Sequence, residues 1–155
     1  MAASKKNKKV KQREIPDGRH VARVEDPNKY LSAHPSWNFQ RYDSEKWSFT
    51  HENAKELFWK EILPFLKNLE SQTWNEILIG AKKQHHSIDL SDLNKLAQDR
   101  LVEMRIEAES ITSLRLNSTH RLYGYIIESN FYIIWFDTNH GDNDYCVCRA
   151  HKKHT

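Results

Sequence analysis

The stretch RLYGYIIESNFYIIWFDTNHGDND, Arg121 to Asp144, is the most hydrophobic passage of an otherwise polar chain, and it holds six aromatic residues. Its two runs, RLYGYIIE and FYIIWFD, are rich in aromatic and β-branched side chains and meet at Ser129-Asn130, which reads as a hairpin with a tight connection. Phe131 to Phe136 is apolar on both alternating sets, the mark of a central strand covered on both faces. The flanking runs ITSLRL before it and YCVCR after it also have strand composition.

Upstream the periodicity changes. Trp37 with Phe39, and Trp47 with Phe49, alternate as on short strands. Ala54, Leu57, Phe58, Leu63, Phe65, Leu66 and Leu69 then recur near helical spacing, with Thr50 as a cap and Pro64 placed to kink or split the helix. Thr73-Trp74-Asn75-Glu76 is a capping-box pattern that starts a short helix ending near Gly80. KKQHHS, before Ile88, reads as a polar loop, and Ser91 as the cap of a third helix with Leu93, Leu96, Ala97, Leu101 and Met104 on its apolar face. Helices followed by strands imply an α+β domain: N-terminal helices packed on a mostly antiparallel sheet of about four to five strands.

The 155 residues suit one domain, expected over 34–155, preceded by an arm and linker over 1–33 with Pro16, Gly18 and Pro27. The net charge of +3 conceals an asymmetry. Residues 1–23 carry eight Lys or Arg against Glu14 and Asp17, and the remaining chain is net acidic. KKNKKVKQR is therefore either a solubilising tail or an arm that touches phosphates without sequence preference. No apolar run approaches the ~20 residues that span a bilayer, and no signal-peptide pattern opens the chain. The cysteines, Cys146 and Cys148, are too close for an unstrained disulfide. A reduced, cytoplasmic protein without a membrane partner is the expectation.

Polar residues at the edges of the expected sheet are the candidate site. Arg115 interrupts the alternation of ITSLRL, His120 and Arg121 open the next strand, and His140 follows the central one. Arg149, His151, Lys152, Lys153 and His154 close the chain. In an antiparallel order, strand starts and neighbouring strand ends share one rim. Arginine forks grip phosphate, lysines supply point charges, and histidine moves protons near neutral pH. A ribonuclease that activates a 2′-hydroxyl and stabilises a phosphorane needs those groups and no metal. The plainer alternative is solvated strand ends, with Arg115 or Arg121 paired to a helix carboxylate.

Asp137, His140, Asp142 and Asp144 invite a metal reading, but a Gly, Asn and Asp cluster between strands is first a turn, and no recognised ion-loop spacing is present. His85-His86 has no partner pattern. Cys146 and Cys148 with His151 or His154 make only half a zinc site. No metal and no cofactor is expected. With four glycines in the chain there is no phosphate-cradling loop, no nucleophile elbow and no dinucleotide fingerprint.

Several passages carry a resemblance. WNFQRYD with the later Trp, TWNEI, LAQDRLVEM, SLRLNSTHRLYGYIIESNFYIIWFDTNH and the terminal KKHT resemble a family of small, uncharacterised bacterial proteins over about Trp37 to Thr155. The C-terminal half is similar, more distantly, to the RelE/ParE/HigB toxin superfamily, in which SLRL and HRLYGYIIESNFYIIWFD fill the place of the central strands. That resemblance implies helices against a mostly antiparallel sheet and, in the ribonuclease members, cleavage of ribosome-bound messenger RNA by residues on the sheet and near the C-terminus. The positions it implies are Arg115, Arg121, His140, Lys152, Lys153 and His154. ParE-like relatives share the fold without being ribonucleases.

The expected function is that of a toxin-like RNA-binding protein and metal-independent endoribonuclease with an antitoxin partner. Arg115 and Arg121 would hold phosphate, and His140 or His154 would act as acid or base. Lys152, Lys153, Arg149 and His120 would dock RNA. The alternative from a different class is a non-catalytic module that binds nucleic acid or a protein partner through its aromatic surface and basic arm.

Overall fold

The computed structural model describes residues 29–48, 52–141 and 146–148. Five strands form one sheet in the order β1-β5-β4-β3-β2. They are β1 (Ser36–Asn38), β2 (His86–Asp89), β3 (Ser110–Arg115), β4 (Arg121–Ile127) and β5 (Asn130–Asp137). The helices are α1 (Glu52–Leu57), α2 (Leu63–Glu70) and α3 (Lys95–Glu103), with π-helical segments at Phe58–Ile62 and Glu76–Gly80.

The domain is α+β, but two expectations about it need correction. The sheet is mixed, not mostly antiparallel, because β1 runs parallel to β5, with Ser36 opposite Asn130 and Asn38 opposite Tyr132. The chain enters at the hairpin corner, where Ser36 N–H donates to the Ser129 carbonyl at 3.2 Å, and then follows β5 in the same direction. Nor do the helices all precede the strands, since β1 comes before α1 and β2 lies between α2 and α3.

The β4–β5 hairpin is the centre of the sheet. Its two-residue connection is Glu128-Ser129, with Glu128 in the left-handed region at φ 58°. The register slips between Tyr123 and Gly124, so Ile134 is an extra residue opposite them. That bulge sets Ile134 and Trp135 together on one face, with Phe131, Ile133 and Phe136 on the other. Gly124 is required by space. A Cβ there would lie 2.1 Å from the Tyr132 carbonyl oxygen and 2.7 Å from the Phe131 ring.

Each face of the sheet has its own core. Ala97 and Leu101 of α3 pack with Trp47, Ile111, Tyr123 and Trp135. On the other face Ile62, Leu66, Leu69, Trp74 and Ile77 cover Leu114, Leu122, Phe131 and Phe136. Side chains as large as Trp74, Trp135 and Phe131 are fully buried, each contributing roughly 1.5–3 kcal/mol or more from apolar transfer. Trp74 also donates its indole N–H to the Ser129 carbonyl at 2.9 Å, tying the second core to the hairpin corner.

The long helical pattern breaks at Pro64 in a definite way. Leu63 N–H reaches back to the Phe58 carbonyl, so the turn just before the proline is widened. Pro64 has no N–H to continue the ladder, and its ring would press on the Lys60 carbonyl of a regular α-helix. Thr73 Oγ1 accepts from Glu76 N–H at 3.3 Å, as the capping pattern implied. The cap of α3 is Asn94, which accepts from Leu96 N–H at 3.4 Å, and not Ser91, which falls in a short 3-10 turn. The polar passage before Ile88 also departs from expectation. His86 opens edge strand β2, and His85 is buried.

Candidate functional site: a rim with two arginines on one carbonyl

The β3–β4 hairpin ends in a loop shaped by Asn117, whose side-chain oxygen accepts from Thr119 N–H at 2.9 Å and His120 N–H at 2.8 Å. This Asx arrangement turns the chain and leaves the Asn117 and His120 carbonyls for other donors. Arg115 and Arg121 are cross-strand partners at the foot of that loop. Arg121 donates Nη1–H to Asn117 O at 2.5 Å and to His120 O at 3.0 Å, while Arg115 donates Nε–H to the same Asn117 oxygen at 3.2 Å. Two guanidinium groups thus share one acceptor.

Arg115 is exposed, but Arg121 is only 8% exposed. Among the described residues neither forms an ion pair with a carboxylate. Burial holds the pKa of Arg121 below its ordinary value, and the positive charge of Arg115 adds to that, while Tyr123, Cys148 and the Asp137 carboxylate opposite it on β5 work against the shift. The guanidinium stays charged at any physiological pH. A buried cation without a bound counter-charge normally costs stability, and a strand end in water would not need to bury it.

A helical carboxylate does reach this loop, but it is bonded to other groups. Glu61, in the π-helical segment ahead of Pro64, reaches His120 Nδ1 at 2.8 Å and accepts from Asn117 Nδ2 at 2.6 Å. Asn117 Nδ2 and His120 Nδ1 lie 3.0 Å apart because both converge on that carboxylate. An ionised carboxylate only accepts, so Nδ1–H donates to Glu61, and the Asn117 amide donates to the carboxylate and not to the ring. A carboxylate that fixes Nδ1–H leaves Nε2 as the acceptor, the tautomer a general base requires. The His120 ring packs edge-on against Phe136 with centroids 5.7 Å apart.

Beneath the arginines lies a buried polar layer. His85 is 5% exposed, and its Nδ1 accepts the Arg115 backbone N–H at 3.0 Å. Burial, then the charges of His86 and Arg121, bring its pKa down to about 4, so it is neutral at pH 7. Tyr123 hydroxyl and Cys148 Sγ are 2.9 Å apart in the interior. Burial raises both, the Cys148 thiol to about 11, which makes it an inert thiol at neutral pH. Cys146 and Cys148 are both thiols, and Cys146 Sγ donates to the Cys148 carbonyl at 2.8 Å.

Of the residues singled out from sequence, Arg115, His120 and Arg121 come together here. His140 adjoins them, since its backbone N–H donates to Thr119 O at 3.0 Å. Asp137, opposite Arg121 on β5, accepts from Asn139 N–H at 2.8 Å and Val147 N–H at 2.9 Å, holding the turn beyond the strand. Among the described residues no three acidic, histidine or cysteine side chains are grouped to hold a metal. Asp142, Asp144, Arg149, His151, Lys152, Lys153 and His154 lie outside the described residues, as do Thr50 and the basic arm.

Sequence reasoning missed Glu61 and Asn117, and weighed His85 only as a metal ligand. Glu61 looks like any solvated helix carboxylate beside Lys60, and only its neighbour Ile62, fully buried, hinted that this turn faces the sheet. No helix among the described residues is long and apolar enough to cross a membrane. Comparisons of the chain with models of known protein families, with curated proteins and with solved structures returned no match.

Proposed function

We propose that this rim binds the phosphodiester backbone of RNA and cleaves it by attack of the adjacent 2′-hydroxyl. The observation that carries the reading is the Arg115–Arg121 pair on the Asn117 carbonyl, without a bound carboxylate, beside an imidazole oriented by Glu61. Two forks on neighbouring strands suit a phosphate, whose oxygens accept several charged hydrogen bonds at once. His120 would take the 2′-hydroxyl proton through Nε2, and the arginines would stabilise the charge that builds on the phosphorane. His140, on the turn bonded to Thr119, would return a proton to the departing 5′ oxygen. An RNA-cleaving toxin paired with an antitoxin is the biological role this reading favours. Lys152, Lys153, His154 and Arg149 would extend the RNA contact.

A labelled single-stranded oligoribonucleotide incubated with the full chain in EDTA tests it. The expected result is a fragment bearing a 2′,3′-cyclic phosphate, and loss of cleavage by 10²-fold or more in His120→Ala, the scale of a lost general base. RNA that binds yet stays intact would overturn cleavage and leave a non-catalytic RNA-binding module.

A further inference from the structure

A second feature lies on the same helical segment as Glu61. Phe39, Tyr42, Phe58 and Trp59 line a pocket of about 430 Å³, and Lys55 completes its described wall. The Phe58 ring stands edge-on to both Phe39, at 6.2 Å, and Trp59, at 5.3 Å. Trp59 is 68% exposed, the most open of the large aromatic side chains among the described residues. An aromatic pocket can take a cationic headgroup by cation–π attraction, but among the described lining residues the charged one, Lys55, is itself cationic. Lys55 would repel an ammonium ligand and attract a flat group tethered to an anion. The volume suits a ligand of nucleotide size. Phe58 and Trp59 belong to the same π-helical segment as Glu61, which is bonded to the rim loop.

We infer that this pocket is a base subsite, in which one unpaired base of a single RNA strand stacks on Trp59 while its phosphate meets Lys55. The inference rests on the RNA reading of the rim and extends it to substrate class: single-stranded RNA with a splayed-out base, not a duplex. Base stacking on an aromatic ring supplies affinity without a salt dependence, whereas phosphate contacts supply both.

Binding of the full chain to a short unstructured oligoribonucleotide, and to a matched oligomer with abasic residues, separates the two. Trp59→Ala should weaken the base-bearing oligomer roughly five- to a hundredfold, leave the abasic one unchanged and keep the slope of affinity against salt. Trp59→Phe should recover most of the loss. Lys55→Ala should weaken both oligomers and lower the slope. Melting curves confirm that the variants remain folded, as expected for exposed positions. If the oligomer binds with normal salt dependence but ignores Trp59→Ala, the base subsite is wrong while the rim reading stands, and the pocket then suits a partner protein's side chain. If neither oligomer binds wild-type protein, the rim reading fails and the subsite fails with it.

Discussion

Two arginine sites in this molecule differ in their counter-charge. Arg100, on α3, donates Nε–H to Asp43 at 2.7 Å and Nη2–H at 2.9 Å, and also reaches Glu103 at 2.9 Å and Glu45 at 3.3 Å. Asp43 is held in turn by the indole of Trp135 at 3.0 Å and the backbone N–H groups of Glu45 and Lys46. Burial works to raise the Asp43 pKa, but Arg100 and the other donors outweigh it and bring it to about 2. Arg121 is as buried as a core residue, and among the described residues its hydrogen bonds go to two carbonyls, with the Asp137 carboxylate acting on it without an ion pair. Asp43–Arg100 is a closed clamp that needs nothing further. Arg115–Arg121 is an open one, and an anion would complete it.

The largest effect should come from opening the closed clamp. Asp43→Ala leaves Arg100 and the Trp135 indole without their acceptor and should cost about 3–5 kcal/mol. A shift of the denaturant midpoint measures it, with no change in the slope of the transition. A loss below about 1 kcal/mol would mean that the clamp is not structural.

Acid should find weak points under both sites, in two windows. His85 is held neutral when folded, so below about pH 6.5 the unfolded chain takes up a proton that the folded one refuses. Stability therefore falls as pH drops from about 6.5 toward 4, by about 3 kcal/mol if the whole shift is expressed. Asp43, whose folded pKa is depressed, stabilises above its unfolded value near 3.8 and loses that contribution as pH falls toward about 2. Melting temperatures between pH 7 and 2.5 should decline in both ranges. In His85→Gln the upper one should disappear while the lower remains.

The open clamp should behave in the opposite sense. Arg121→Met keeps the apolar stem and removes a buried charge that forms no ion pair with a described carboxylate. Stability should stay within about 1 kcal/mol of wild type or rise, while catalysis falls by about 2–4 kcal/mol, a hundredfold or so. Arg100→Met should show the reverse, lost stability with activity per folded molecule intact. If Arg121→Met unfolds the protein, the arginine is structural and the contrast between the clamps fails. A smaller effect is expected from Glu61→Gln. The amide still faces Nδ1 but no longer favours the imidazolium, which should cost on the order of tenfold in rate. At the bottom of the scale, Lys95→Ala breaks an exposed pair with Asp99 and should change stability by less than about 0.5 kcal/mol.

The two clamps were also unequally legible in the chain. Arg115 and Arg121 announced themselves because each interrupts or opens an apolar strand, and the hairpin pattern placed both at one rim. Asp43 and Arg100 are 57 residues apart, each in a polar context that suggests a solvated surface, and nothing local joins them. Likewise β4 and β5 stood out by their unbroken apolar runs, whereas β2 did not. It is a short edge strand that buries only Ile88, so His86 and Ser87 looked like loop. The parallel pairing of β1 was hidden for a related reason: three residues carry a strand's composition but no information about direction. Ser91 and Asn94 are equally good caps by residue type. The chain's return to pair Leu93 with Cys148, and Asn94 N–H with the Val147 carbonyl, decides for Asn94. Glu61 was concealed by its own helix, since a carboxylate next to a lysine reads as surface until the sheet beneath it is known.

The account's central claim is that the Arg115–Arg121 pair is an anion site for an RNA backbone. Equilibrium binding of an unstructured oligoribonucleotide over a range of salt concentrations, for wild type, Arg121→Met and Arg100→Met, tests it most directly. Arg121→Met should bind more weakly and lower the log–log salt slope by about 0.7 to 1, the signature of one lost phosphate contact, while melting like wild type. Arg100→Met should keep both the slope and the affinity of its folded fraction. A folded Arg121→Met that binds with wild-type affinity and slope would contradict the claim.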